Sequence, residues 1–376
     1  MHDFEPRSSV TRLRARLARR LALVSLVGLL ALFALILALA AIALAAMTAA
    51  WVAIDHGQPL HTVGWVGLGL ACLGSAIAGL HALLHLAPQP EGIRLPRAAA
   101  EEFFRFLDEL ARRSGVEPID QVRITDEIGA AVLQRPSRGL MGALRTELLV
   151  GLPLVHSLSP AQFGAVLAHE FGHIAAQRQG LCGWGAYLRA WWMRTVDALL
   201  PGIPPGLPWL ARHGERFCRD MLRLARIEEL EADAVAARLV GPVLLGETLV
   251  ELSRKAHFLE HDYWPRVQAL RTLDAGSVVR PFREMGHGVA AGFSHAVVAA
   301  DPELHASEAR AHPFHPSLRR RLSALRMRAA AQPVPSGSAA EHFFPGLLPS
   351  LAWIFDRAWW AAARNPRHPM TPPDTP

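Results

Sequence analysis

Charge is what the N-terminal part of this chain lacks. No Asp, Glu, Lys or Arg stands between Arg20 and Asp55, and none between Asp55 and Glu91. A water-soluble globular domain has no use for two such stretches, whereas a helix that crosses a bilayer needs ~20 consecutive apolar residues. Residues 21–47 (LALVSLVGLLALFALILALAAIALAAM) meet that length, and Val63 to Leu86 is a second, glycine-richer candidate with His81 and His85 near its end. Basic residues are also missing from the connector, Thr48 to Thr62. They gather instead at Arg7, Arg12, Arg14, Arg16, Arg19 and Arg20 before the first run, and at Arg94 and Arg97 after the second. Positive flanks and a neutral connector predict a transmembrane hairpin with both flanks on the cytoplasmic side. A cleaved signal peptide is the competing reading, but its apolar core is usually only ~7–15 residues. Only if the second run were soluble would the remaining chain lie outside.

Cysteine is scarce too. Cys72, Cys182 and Cys218 are too few and too scattered for a disulfide framework or a thiolate zinc site, and read as free thiols in a reducing compartment. There is no basic stripe interleaved with aromatics, so the net charge of +6 belongs to membrane anchoring and nucleic acid is not expected as a partner. With 51% hydrophobic and 19% charged residues among 376, the chain is too apolar to be disordered.

After Pro96 the composition is that of a folded domain. Ala98 to Arg113 has helical apolar spacing and stops at Ser114-Gly115. Gln121 to Thr125 and Glu147 to Leu154 read as short strands. Ser159-Pro160 opens a helix running to about Arg178, with Ser as N-cap, Pro at the first helical position and Gln162 completing a capping box. Residues 181–210 are Trp-rich but interrupted by Arg189, Arg194, Asp197 and four prolines, which suits an amphipathic segment on the membrane or plain core. A further helix spans about Glu215 to Val240, closed by Gly241-Pro242. The tail from Met370 is expected to be disordered.

The chemistry-bearing motif is His169-Glu170-Phe171-Gly172-His173. Histidines four apart share a helix face, so both imidazoles reach one zinc ion, while Glu170 approaches a water at that ion without ligating it. Catalytic zinc needs a third protein ligand and an open position. The pattern HExxHxxGxxH fails, since position 176 is Ala and 179 is Gln. Asp197 and His213 are the candidates before Gly214, and Glu229 and Asp233 follow on the next strong helix. Those two share a face, and Glu231 points elsewhere. One carboxylate can bind the metal while the other orients a ligand histidine. A solvated charged helix face is the bland alternative.

LLVGLPLVHSLSPAQFGAVLAHEFGH followed by ELEADAVAARL resembles the HtpX-like and CAAX-prenyl-protease family of membrane zinc endopeptidases. The resemblance implies that Glu229, first residue of E-x-x-A-D, is the third zinc ligand and that Asp233 stands beside the site. It also implies a later His-Pro followed by Arg near the site, met by His315-Pro316-Ser317 and Arg321. It covers roughly residues 95–330. Two departures stand out. The heat-shock branch has a second transmembrane hairpin after HExxH, where this chain has only segment 181–210. The prenyl-protease branch has more spans still.

The expected fold is therefore mainly α, with a transmembrane helical hairpin followed by a zincin-like domain carrying a small β-sheet. A basic cytoplasmic N-terminus (1–20) precedes the spans (21–86). The metalloprotease domain (95–330) follows, then an amphipathic segment and tail (331–376). Glu147 to Leu154 is expected as the edge strand to which an extended substrate adds. His169, His173 and Glu229 would hold Zn2+, Glu170 would act as general base, and His315 or Arg321 would stabilise the oxyanion. Polypeptides, including membrane or misfolded proteins, are the implied substrates, in a bacterial-type inner membrane with the protease domain in the cytoplasm. The rivals are a non-catalytic adaptor or chaperone on a protease fold and a zinc hydrolase of non-peptide bonds.

Other histidines offer weaker sites. His257-Phe258-Leu259-Glu260-His261 spells the reversed motif HxxEH but lacks the capped apolar helix before it. His81 and His85 are four apart without a Glu and suit a membrane interface better than a metal. His312 competes with His315 for the His-Pro role. The aromatic run Phe343 to Trp360 is expected to dock on the core or touch lipid, since Asp356 and Arg357 break it as a span.

Overall fold

The computed structural model describes residues 8–84, 90–138, 141–178, 182–199, 208–273, 279–296, 314–327 and 337–364. His85, His312, Pro201, Pro204, Pro205 and the tail from Met370 lie outside these residues. The described chain is mainly helical, with one mixed four-stranded sheet.

Two long helices come first, α1 (Ser8–Asp55) and α2 (Pro59–Leu83). Both are long and apolar enough to cross a membrane. They pair through small side chains: Ala43, Ala46, Ala50 and Ala53 are buried on α1, and Gly69, Ala76, Gly79 and Ala82 on α2. Leu23, Val27, Leu30, Phe33 and Leu44 face outward and exposed. Small residues inside and large apolar ones outside suit helices whose surroundings are hydrocarbon rather than water.

The expected boundary at residue 20 does not divide the helix. α1 is continuous from Ser8, and its first turns dock on later elements. Leu17, Ala18 and Leu21 pack against Phe217, Met221 and Leu224. Arg14, one of the supposed membrane-anchoring arginines, is 4% exposed and pairs with Glu231 at 3.0 Å. Removing one partner of such a pair strands a buried charge and costs ~3–5 kcal/mol. Arg14→Met should therefore melt well below wild type in detergent, and Arg14→Met/Glu231→Leu should recover most of the loss. Equal losses in both variants would contradict a buried pair.

The sheet follows as β1 (Ile93–Leu95), then helix α3 (Glu101–Ser114), β2 (Gln121–Thr125), β3 (Ala130–Arg138) and β4 (Met141–Gly151). Gly115 ends α3 in the left-handed region at φ 66°, a conformation open to glycine at no steric cost. The strand order is β1-β2-β4-β3, with β2 and β4 parallel and the other pairs antiparallel. This corrects the expected edge strand: β4 lies inside the sheet, and the edges are β1 and β3. Pro136 cannot donate to a ladder, which confines its strand to an edge and also hides the alternation of β3 in the sequence. The second half of the expected strand, from Leu152, is helix α4 (Leu152–Ser157).

Helix α5 (Pro160–Arg178) opens on the anticipated capping box. The Ser159 N–H donates to Gln162 Oε1 at 3.1 Å, and the Gln162 N–H to Ser159 Oγ at 3.3 Å. Then come α6 (Cys182–Leu199), α7 (Pro208–Val240), α8 (Pro242–Phe258), α9 (Trp264–Leu273) and α10 (Pro281–Ala296). Short α11 (Leu318–Ala324) and α12 (Ala339–Phe343) and the longer α13 (Leu348–Arg364) are the last described elements. α6 packs on the hairpin: Leu188, Trp191 and Trp192 lie against a cluster of Leu29, Ile36, Ala76 and Leu83. The main core joins α3, α5, the sheet and the C-terminal helices through Phe103, Phe163, Phe343, Phe344 and Phe355. Residues after 330 thus contribute to the same core, and the aromatic run docks on it.

Candidate metal centre

The site forms where α5 crosses α7. At Gly172 a Cβ would sit 2.8 Å from both Ala232 Cα and Ala232 O, so the two helices approach as closely as backbones allow. Glycine and alanine at this crossing bring the faces of α5 and α7 together. His169 and His173 project from α5, and Glu229 and Asp233 from α7.

His173 Nε2 is 3.2 Å from His169 Nε2 and 3.2 Å from Glu229 Oε1, while His169 Nε2 is 3.6 Å from Glu229 Oε2. Ligand atoms ~2.0–2.2 Å from one tetrahedral ion lie ~3.3–3.5 Å from one another. The three side chains therefore fit a single metal ion, and among the described residues they are the one group that does. Glu229 Oε2 is buried and accepts no aligned hydrogen bond, an arrangement that an ion would relieve. Two imidazoles and a carboxylate suit a first-row transition metal rather than calcium or magnesium.

Behind these ligands stands an ordered second layer. Asp233 Oδ1 is 2.9 Å from His169 Nδ1, which leaves Nε2 facing the other ligands. Arg321 grips the same carboxylate with both arms of its guanidinium, Nε to Oδ2 at 2.8 Å and a terminal nitrogen to Oδ1 at 2.6 Å. The turn Pro316-Ser317 places it there, with Ser317 capping α11. His315 Nδ1 lies 3.0 Å from Glu229 Oε2, and its side chain is 51% exposed at the mouth of the site.

Electrostatics follow this geometry. Burial raises the Glu229 carboxyl pKa, but the imidazoles of His169, His173 and His315 overturn that and hold it well below the usual carboxylate range. Burial likewise works against the Asp233 charge, and Arg321 and His169 more than restore it. For His169, burial and Arg321 disfavour the cation, yet bonds to Asp233 and Glu229 push its pKa up to about 9; a metal ion bound here would take the place of that proton. Glu170 moves the other way. Burial raises its pKa, partly opposed by His173, His169 and the Val132 backbone N–H of the edge strand.

All seven residues singled out in the sequence thus meet at one place, with a difference of role. Arg321, expected with His315 as a candidate oxyanion donor, spends Nε and one terminal nitrogen on Asp233, while its other terminal nitrogen lies 3.7 Å from Glu229 Oε2. Arg321→Ala should weaken zinc binding about 10–100-fold. An unchanged zinc affinity with reduced turnover would restore the oxyanion role. The close approach at Gly172 and Ala232, and the contact of Val132 with Glu170, were not anticipated. The small residues inside both motifs were their only trace in the sequence.

Among the described residues the alternative sites do not assemble. Glu260 and His261 lie in a π-helical turn (Leu259–Tyr263), where the Glu260 side chain is 65% exposed and the His257 and His261 rings stack at 4.1 Å. Asp197 and His213 are not part of the metal group. Glu231 faces Arg14, away from the site.

Comparison with models of protein families, with curated proteins and with solved structures finds no match. The function is therefore argued from the site itself.

Proposed function

We propose that this protein is a membrane-anchored zinc metalloendopeptidase with a zincin-like domain. The observation that carries this reading is the triangle of His169 Nε2, His173 Nε2 and the Glu229 carboxylate, with Glu170 beside it and Asp233 behind. His169, His173 and Glu229 would hold the ion, and Zn2+ would supply Lewis acidity for the attacking water and the scissile carbonyl.

The remaining steps belong to the chain. Glu170 follows the first ligand directly and carries a raised pKa, so it can take the proton of the attacking water and return it to the leaving amine. His315, half-exposed beside Glu229, would hydrogen-bond the developing oxyanion. Asp233 and Arg321 hold His169 in its tautomer. An extended polypeptide pairing with the free edge of β3 would pass Val132, and so the Glu170 carboxylate. Backbone pairing suits loose sequence preference.

On this reading α1 and α2 cross a bacterial-type inner membrane, with the catalytic domain in the cytoplasm and substrates that include membrane or misfolded proteins. The test is casein cleavage by detergent-purified protein. Chelation should abolish cleavage and added zinc restore it. Cleavage that survives complete removal of metal would overturn the proposal.

A further inference from the structure

We infer that the protein holds an anionic phospholipid headgroup between α6 and the β3–β4 hairpin, beside the end of α2, with Arg194, Arg135 and Arg145 as its phosphate-binding side chains. This rests on the reading of α1 and α2 as membrane spans.

Arg194 is the starting point. Its Nε is sealed from solvent and has no hydrogen-bond acceptor, and among the described residues no carboxylate pairs with it. A sealed guanidinium N–H without an acceptor is costly, and an anion beside it would complete it. Its surroundings add positive charge. Arg135, on the edge strand, lies within electrostatic range of Arg194. Arg145 stands directly opposite Arg135 in the β3–β4 ladder. Like charges facing each other across a ladder destabilise it, and a bound phosphate turns that repulsion into attraction.

The level of this cluster points to lipid. Tyr187 and Arg194 are seven residues apart, on one face of α6, and Tyr187 is in electrostatic range of both Arg194 and Arg135. On the same face the Trp191 indole N–H donates to the Leu83 carbonyl at 2.8 Å, at the last residue of α2. The Trp191 ring is 6.0 Å from the Tyr187 ring. Tryptophan, tyrosine and arginine therefore meet where the apolar helix ends, the level at which headgroups lie and at which a cytoplasmic leaflet is negative. Guanidinium forks bind phosphate with two parallel hydrogen bonds, which an ammonium cannot reproduce.

The test uses the full chain reconstituted in phosphatidylcholine vesicles containing a minor share of phosphatidylglycerol, then released in mild detergent. Lipid still bound is counted by native mass spectrometry, and zinc content verifies an intact fold. Wild type should retain phosphatidylglycerol over phosphatidylcholine. Arg194→Gln should retain about five-fold less, Arg194→Lys should also retain less than wild type because an ammonium lacks the planar fork, and Arg19→Gln, on the exposed start of α1, should match wild type. No headgroup preference in wild type, or full retention by Arg194→Lys, would overturn the site. So would unchanged retention in Arg194→Gln with casein cleavage lost in pure phosphatidylcholine, which would assign the arginines to an acidic substrate residue. An alkaline carbonate wash separates the two readings: protein stripped from the vesicles fails as a spanning protein, whereas protein that stays without headgroup preference fails only here.

Discussion

Replacing Glu170 by Gln should lower casein turnover about 10²–10⁴-fold while zinc content stays at the wild-type level. The amide keeps the size and hydrogen-bonding reach of the carboxylate but cannot accept a proton. Glu170 is outside the group of three side chains that could hold a metal ion, so its charge would not be needed to bind one. Burial raises its pKa and the two ligand histidines oppose that, which leaves a base whose strength depends on the site being assembled. Parallel measurement of turnover and metal separates this role from ligation. Loss of zinc in Glu170→Gln would make it a ligand. Equal cleavage by both proteins would place the chemistry elsewhere or in a contaminant, with Glu260 tested next.

The second large effect is expected from a residue with no side chain. Gly172→Ala puts a methyl group 2.8 Å from the Cα and carbonyl oxygen of Ala232. Both are backbone atoms, so no rotamer change relieves the contact, and α5 and α7 must separate. Overpacking of this kind costs ~1–3 kcal/mol. The larger consequence is functional, since His169 and His173 ride on one helix and Glu229 on the other. A ligand displaced by ~1 Å costs about a hundredfold in rate. Gly172→Ala should therefore keep its helical circular dichroism and lose zinc to a competing chelator far more readily than wild type. Wild-type zinc affinity in this variant would show that the crossing tolerates the methyl group.

Some of this was open to sequence reasoning because the signals are local. The capping box at Ser159 and Gln162 needs four residues to be recognised, and it starts α5 where expected. The two uncharged runs mark α1 and α2 by length alone. The i,i+4 spacing of His169 and His173, and of Glu229 and Asp233, places each pair on one face. What stayed hidden depends on distant partners. Arg14 carries the same composition signal as the arginines around it, and only the fold shows it buried against Glu231. β3 was missed because Pro136 and its polar neighbours mask the alternation, and with it went one edge of the sheet. Arg321 could be associated with the site only through the family resemblance, and its ion pair with Asp233, 88 residues away, is visible only in the fold.

The most direct measurement is X-ray absorption at the zinc edge on the purified, zinc-loaded protein and on Glu229→Ala. Expected in wild type is a four-coordinate ion with two imidazoles at ~2.0–2.1 Å and oxygen at ~2.0–2.2 Å. Glu229→Ala should lose the ion or show one protein oxygen fewer. Sulfur at ~2.3 Å, or a wild-type spectrum unchanged by Glu229→Ala, would contradict a centre built from His169, His173 and Glu229.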